Sequence, residues 1–201
     1  MIAIIDYDAG NIRSVEKALA YLGEEAVLTR DKETILKADK AILPGVGNFK
    51  DAMVRIREYG LDEVIHEFVA SKKPFLGICL GLQLMFEESE ESPGEKGLCL
   101  LEGKCTKIPA TEELKVPQIG WNSLEFPKES KLFKGIEPGS YVYFVHSYYL
   151  KAKNFSDVAA TAEYGVTIHA AVEKDNIYAC QFHPEKSSDV GLKIIKNFIS
   201  L

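Results

Sequence analysis

No stretch of the sequence is long and apolar enough to span a bilayer as a helix. Basic runs are also missing, and the net charge of −6 argues against nucleic acid or an anionic membrane as partner, since neither attracts an acidic surface. Cysteine is scarce. Cys79, Cys99, Cys105 and Cys180 show no CxxC spacing and no dense framework, so neither a disulfide-stapled fold nor a closely paired metal site is indicated. The N-terminus has no positively charged n-region, and Asp6 interrupts its apolar start. A signal peptide is therefore not expected, and the sequence predicts a reduced, cytoplasmic setting. Internal repeats and low-complexity tracts are absent as well.

What is present is an ordinary globular composition. With 201 residues, 46% of them hydrophobic and 27% charged, the chain predicts a single domain over residues 1–201 with a core of its own. Its first half alternates strand and helix patterns. Ile2 to Tyr7 reads as a buried parallel strand, and Asn11 as the cap of a helix with Ile12, Val15, Leu19 and Leu22 on one side. Further strands are expected at Ala26 to Thr29, Ala41 to Leu43 and from Phe75, with helices between them. The glutamate-rich run from Glu87 to Glu95 reads as a solvated loop. Tyr141 to Leu150 and Asn176 to Phe182 read as strands, and Val190 to Ile199 as a closing helix. The predicted class is α/β: an open, mostly parallel twisted sheet flanked by helices, with additional antiparallel strands in the C-terminal half.

Chemistry concentrates at Phe75-Leu76-Gly77-Ile78-Cys79-Leu80-Gly81-Leu82-Gln83. An apolar strand, a cysteine between two glycines and a helix start together predict a nucleophile elbow, with the positive end of a helix beginning at Gly81 facing the sulfur. Alone, this run also suits a buried packing cysteine. Downstream, Phe182-His183-Pro184-Glu185 offers a base and a carboxylate. Strand alternation puts Ala179, Gln181, His183 and Glu185 on one face and Tyr178, Cys180 and Phe182 on the other. Cys79, His183 and the glycine loop Pro44-Gly45-Val46-Gly47 each follow a strand. In a parallel sheet all three then meet at the carboxyl edge. Cysteine, histidine and carboxylate there suggest acyl transfer, with backbone N–H groups of the loop and of Leu80 as an oxyanion hole. The other histidines carry less: His66 reads as a surface residue, His169 as a strand residue and His146 as structural or interfacial. Trp121 suits either core or contact surface.

Pro44-Gly45-Val46-Gly47-Asn48-Phe49, Gly77-Ile78-Cys79-Leu80-Gly81-Leu82-Gln83 and His183-Pro184-Glu185-Lys186-Ser187 together resemble class I, triad-type glutamine amidotransferases. Within that class the chain is similar, end to end, to glutaminase subunits of imidazole glycerol phosphate synthase. Ala9-Gly10-Asn11, Leu82 in place of a histidine found in many sisters, and Lys186-Ser187 after the glutamate sharpen the likeness. Asp8 stands where relatives commonly have glycine. The resemblance implies L-glutamine as substrate, Gln83 and Gly47 as glutamine contacts, no cofactor and no metal. It also implies a heterodimer with a (β/α)8-barrel cyclase subunit that uses the ammonia, with Asn11, Tyr143 and Lys186 as interface candidates. Turnover of glutamine is expected to be low without that partner. Alternatives are the glutaminase of another synthase (for anthranilate, guanylate or pyridoxal phosphate), a cysteine peptidase-like hydrolase, or a non-catalytic regulatory subunit.

Overall fold

The computed structural model describes residues 1–10, 12–111 and 114–201. The first half is a run of short β and α elements: β1 (Ile2–Ile5), α1 (Ile12–Tyr21), β2 (Ala26–Thr29), α2 (Lys32–Lys37), β3 (Lys40–Leu43), α3 (Phe49–Glu58), α4 (Leu61–Ala70), β4 (Phe75–Ile78) and α5 (Leu80–Leu84). The second half is richer in strands: β5 (Glu88–Ser89), β6 (Gly103–Lys107), β7 (Gln118–Ser123), β8 (Tyr141–His146), β9 (Tyr148–Ala152), β10 (Val158–Glu163), β11 (Thr167–Lys174), β12 (Ile177–Cys180) and then α6 (Ser188–Ile199). None of the described helices is long and apolar enough to cross a membrane.

The caps follow local chemistry. Asp31 accepts a hydrogen bond from Thr34 N, and the Asn48 side chain accepts from Lys50 N and Asp51 N. Each satisfies N–H groups that a helix start leaves unpaired. The Asn11 cap lies outside the described residues.

A seven-stranded sheet in the order β10-β11-β12-β4-β3-β1-β2 forms the centre. From β12 to β2 its pairings are parallel, and β10, β11 and β12 pair antiparallel. The parallel strands β1 and β4 are buried throughout, as expected when helices cover both sheet faces. One core layer gathers Ile4, Leu19, Leu76, Tyr178, Phe182 and Phe198, the other Ile5, Leu43, Phe68, Phe75 and Ala179. The predicted alternation at the end of the chain is therefore present: Tyr178, Cys180 and Phe182 face one layer, Ile177 and Ala179 the other.

Three expectations need correction. Tyr141 to Leu150 is not one strand. It breaks at Ser147, and its halves join different small sheets, β8 pairing with β7 and β9 with β6. Glu185 is not on a strand either; Pro184–Lys186 forms a 3₁₀ turn, because Pro184 has no N–H to continue a ladder. The helix after the elbow begins at Leu80, not Gly81, and has five residues. Asp8 adopts φ 61°, a left-handed conformation that aspartate tolerates better than most residues. It is held there by Arg30 at 2.6 Å and by the Tyr59 hydroxyl, which together hold its carboxyl below the usual range.

Candidate active site

β12, β4 and β3 lie side by side and parallel, with Cys180 opposite Ile78 and Leu43 opposite Gly77. The residues that follow them, Gln181 to His183, Cys79, and Pro44 to Gly47, therefore emerge at one level of one edge. Cys79 takes φ 55° and ψ −110°. A non-glycine residue there costs about 1–3 kcal/mol, a strain the surrounding packing must offset. Its N–H donates to Cys180 O at 2.8 Å, and its carbonyl accepts from Leu82 N at 3.0 Å. Glycine is required next to it: a Cβ on Gly81 would sit 1.8 Å from the Leu43 carbonyl oxygen, and one on Gly77 2.9 Å from that of Gly81. Strand β3, the elbow and α5 thus interlock through backbone contact.

A cavity of about 250 Å³ opens at this edge. Its walls include Cys79, His183, Val46, Gly47, Leu80 and Gln83, so every residue the sequence nominated for catalysis or substrate contact lies in it or, for Glu185, behind it. Larger hollows lie elsewhere; one of about 750 Å³ is lined by Phe126, Phe133 and three lysines, with no cysteine or histidine among its walls. Volume does not select the site here; chemistry does.

The Nδ1 of His183 lies 2.8 Å from Glu185 Oε1, and both side chains are almost fully buried. A carboxylate accepts only, so Nδ1 carries the proton. Nε2 is buried without a hydrogen-bond partner among the described residues, and it shares the cavity with Cys79. Burial opposes charge on this ring, but Cys79 and Glu185 outweigh burial and raise its pKa to about 9. His146 on the opposite wall behaves the other way. Burial and the charge of His183 push its pKa down to about 4, against the pull of the Tyr148 carbonyl. Its Nδ1 lies 2.8 Å from Tyr148 O and its Nε2 3.0 Å from the Gln118 side chain.

These opposite shifts make a prediction. In ring-nitrogen NMR, His183 stays protonated and His146 neutral across roughly pH 5 to 8, the range in which free histidine changes charge. The signs for stability also oppose. The share from His183 is complete below an unfolded pKa of about 6.5 and is lost as pH rises through about 9. The share from His146 is complete above about 6.5 and is lost as pH falls towards about 4. A ring titrating near 6.5 would contradict the pairing with Cys79 and Glu185 at His183, and the burial at His146.

Three findings were not foreseen. Glu91, in the run read as solvated, is the one carboxylate among the described residues lining the cavity, and its Oε2 accepts from Phe49 N at 2.8 Å. Leu80 N–H, expected as an oxyanion donor, is already engaged: it donates to Gly45 O at 3.3 Å. Both amide hydrogens of Gln83 are engaged too, with Tyr148 O at 3.1 Å and Gln181 Oε1 at 3.0 Å, so it offers the cavity only its oxygen. Of the interface candidates, Lys186 is exposed and Tyr143 half-buried, its ring edge-on to Trp121 with centroids 6.1 Å apart. Asn11 lies outside the described residues.

A thiol on a strained elbow beside a carboxylate-backed imidazole, at the carboxyl edge of a parallel sheet, defines a cysteine-dependent acyl-transfer architecture. The chain belongs to the class-I glutamine amidotransferase family, whose model matches residues 3–201. It is 49% identical over 203 residues to the imidazole glycerol phosphate synthase subunit HisH of Syntrophotalea carbinolica, covering 98% of both chains. It is 51% identical over 198 residues to the protein of that name from Bacillus thuringiensis strain Al Hakam, covering 98% of this chain and 93% of the relative. Among solved structures, PurLQS from Thermotoga maritima superposes with a TM-score of 0.77 over 99% of this chain and 97% of that one. At 20% identity that match speaks for the fold alone.

Proposed function

We propose that the chain, as one domain over residues 1–201, is the glutaminase subunit of an imidazole glycerol phosphate synthase in histidine biosynthesis. It releases ammonia from L-glutamine for a cyclase subunit in a heterodimer. The observation that carries this is about 50% identity over almost the whole length to HisH subunits. The four cysteines are all free, which fits a reducing cytoplasm.

The Cys79 thiolate attacks the side-chain amide carbon of glutamine, forming the C–S bond. His183, protonated at rest, gives its Nε2 proton to the leaving nitrogen as the C–N bond breaks, so ammonia departs neutral. The neutral ring then takes a proton from water, whose oxygen attacks the thioester carbon; the C–S bond breaks and glutamate leaves. Glu185 holds Nδ1–H throughout, orienting the ring and stabilising its charged form. Glu91 supplies the negative charge that the α-ammonium of glutamine requires, and Val46, Gly47 and Leu80 frame the developing oxyanion. Ammonia must reach the next site unprotonated, since ammonium has no lone pair with which to attack.

The docking face is assigned to the outer side of the β7–β8 pair. Ile119 faces Val145, Trp121 faces Tyr143 and Ser123 faces Tyr141 in register, and Ile119, Trp121 and Tyr141 are all more than half exposed. An exposed aromatic patch of this kind is interface composition. Lys186 lies in the turn whose His183 N–H bonds Tyr143 O at 2.9 Å, so it stands beside the same face.

Labelling tests the reading. An electrophilic glutamine analogue is expected to modify Cys79 alone, as read by peptide mass spectrometry. Modification at Cys99, Cys105 or Cys180 in its place, or protection by peptides but not by glutamine, would overturn it.

A further inference from the structure

Gln181 follows β12 directly and is wholly buried. A buried carboxamide is costly unless its oxygen and its NH2 group both find partners. Which end of this amide points where is fixed by a chain of contacts with one unambiguous member. The Tyr148 carbonyl can only accept, so the group that Gln83 turns towards it at 3.1 Å must be the NH2. The same NH2 lies 3.0 Å from Gln181, which must therefore offer its oxygen there. The remaining end of Gln181, its NH2, lies 3.7 Å from the Cys79 sulfur, within N–H···S range. Reversing either amide would set two donors or two acceptors against each other at once.

We propose that Gln181 is a positioning residue for the nucleophile: it donates an N–H to the Cys79 sulfur, favouring the anionic sulfur and fixing its direction, with Gln83 and the Tyr148 carbonyl setting the sense of the donation. The proposal rests on the assignment of Cys79 as nucleophile. Hydrogen bonding to the charged form of a group favours that form, and a thiolate accepts where a thiol scarcely does. The same chain makes Gln181 respond to the cavity wall. Tyr148 O also accepts from His146, so the sulfur is tied through two side chains, Gln181 and Gln83, to the segment that breaks at Ser147.

The other titratable groups around the sulfur are His183 across the cavity, Tyr7 below the glycine loop and Cys180 on β12, with His146 and Glu91 on the farther walls. None is altered by substitution at Gln181. The test is the pH dependence of Cys79 alkylation by iodoacetamide in the full chain. It is followed by peptide mass spectrometry because Cys99 is exposed and reacts as well. Gln181→Met keeps the volume and removes the donor. Its Cys79 profile is expected to move up by about one pH unit, with the rate at neutral pH about tenfold lower. Glutaminase kcat in the complex with the cyclase subunit should fall by a similar factor, and KM should stay within about twofold. Gln181→Glu keeps the length and the oxygen for Gln83 but turns an acceptor to the sulfur, so its profile should move further. A Gln181→Met profile that superposes on the parent, even with a lower kcat, would reduce Gln181 to packing. If that variant fails to fold or to co-elute with the cyclase subunit, an unmoved profile in Gln181→Glu overturns the proposal just as firmly. Failure of the underlying assignment would look different: glutamine turnover would survive Cys79→Ala in the parent chain.

Discussion

Cys79→Ala lowers glutamine-dependent turnover by about four orders of magnitude or more, while the complex with the cyclase subunit still forms product from added ammonium salt. The size of the loss follows from the role: without sulfur there is no thioester, and His183 and the oxyanion donors have no covalent step to assist. The survival of the ammonium reaction follows from the fold. Cys79 sits at φ 55°, and alanine carries the same Cβ, so the substitution adds no backbone strain. The contacts that lock the elbow are made by Gly77, Gly81 and the Leu43 carbonyl, not by the sulfur. Steady-state assays with each nitrogen source decide. Loss of both activities would make Cys79 a structural residue, and retention of glutamine use would remove it from the chemistry.

The sequence made the elbow legible because its constraint is steric. A Cβ 1.8 Å from a carbonyl oxygen leaves glycine as the residue that fits, and the glycines on both sides of Cys79 record that. The partners His183 and Glu185 were legible through spacing, though the contact is made by a 3₁₀ turn and not by the strand alternation that suggested it. Other features leave no such record. Glu91 is one of five glutamates in a polar run, and nothing in its type distinguishes the one whose carboxylate turns inward to Phe49 N. The break at Ser147 is hidden because Tyr141 to Leu150 keeps strand composition on both sides of it. Gln181 could have been singled out, since alternation already set it on the face of His183. What was missing was the direction of its amide, which depends on a carbonyl distant in the chain.

Least legible of all is the orientation of a peptide group, and the second large effect depends on one. Alone, the chain should turn over glutamine about 10²- to 10³-fold more slowly than in complex with the cyclase subunit and its ribonucleotide, the size expected when one oxyanion donor is missing. Leu80 N–H donates to Gly45 O at 3.3 Å, so it is not free to meet the oxyanion for which it is proposed as donor. The donor becomes available only when the Gly45–Val46 peptide turns. That segment suits such a motion, having glycine at 45 and Gly47 at φ 109°. A route from the proposed docking face exists in the backbone: Tyr143, beside Trp121, accepts from His183 N at 2.9 Å and donates to Ser187 Oγ at 2.9 Å. Val145 of the same strand and Ser147 just beyond it line the cavity. Pressure on the β7–β8 face therefore reaches the base and the wall opposite the loop without crossing solvent. Because the effect falls on stabilisation of a charge that develops after binding, it should appear in kcat, with KM changing far less. Equal kcat for the free chain and the loaded complex would mean that the hole forms without Leu80, or that the Gly45 peptide turns freely in solution.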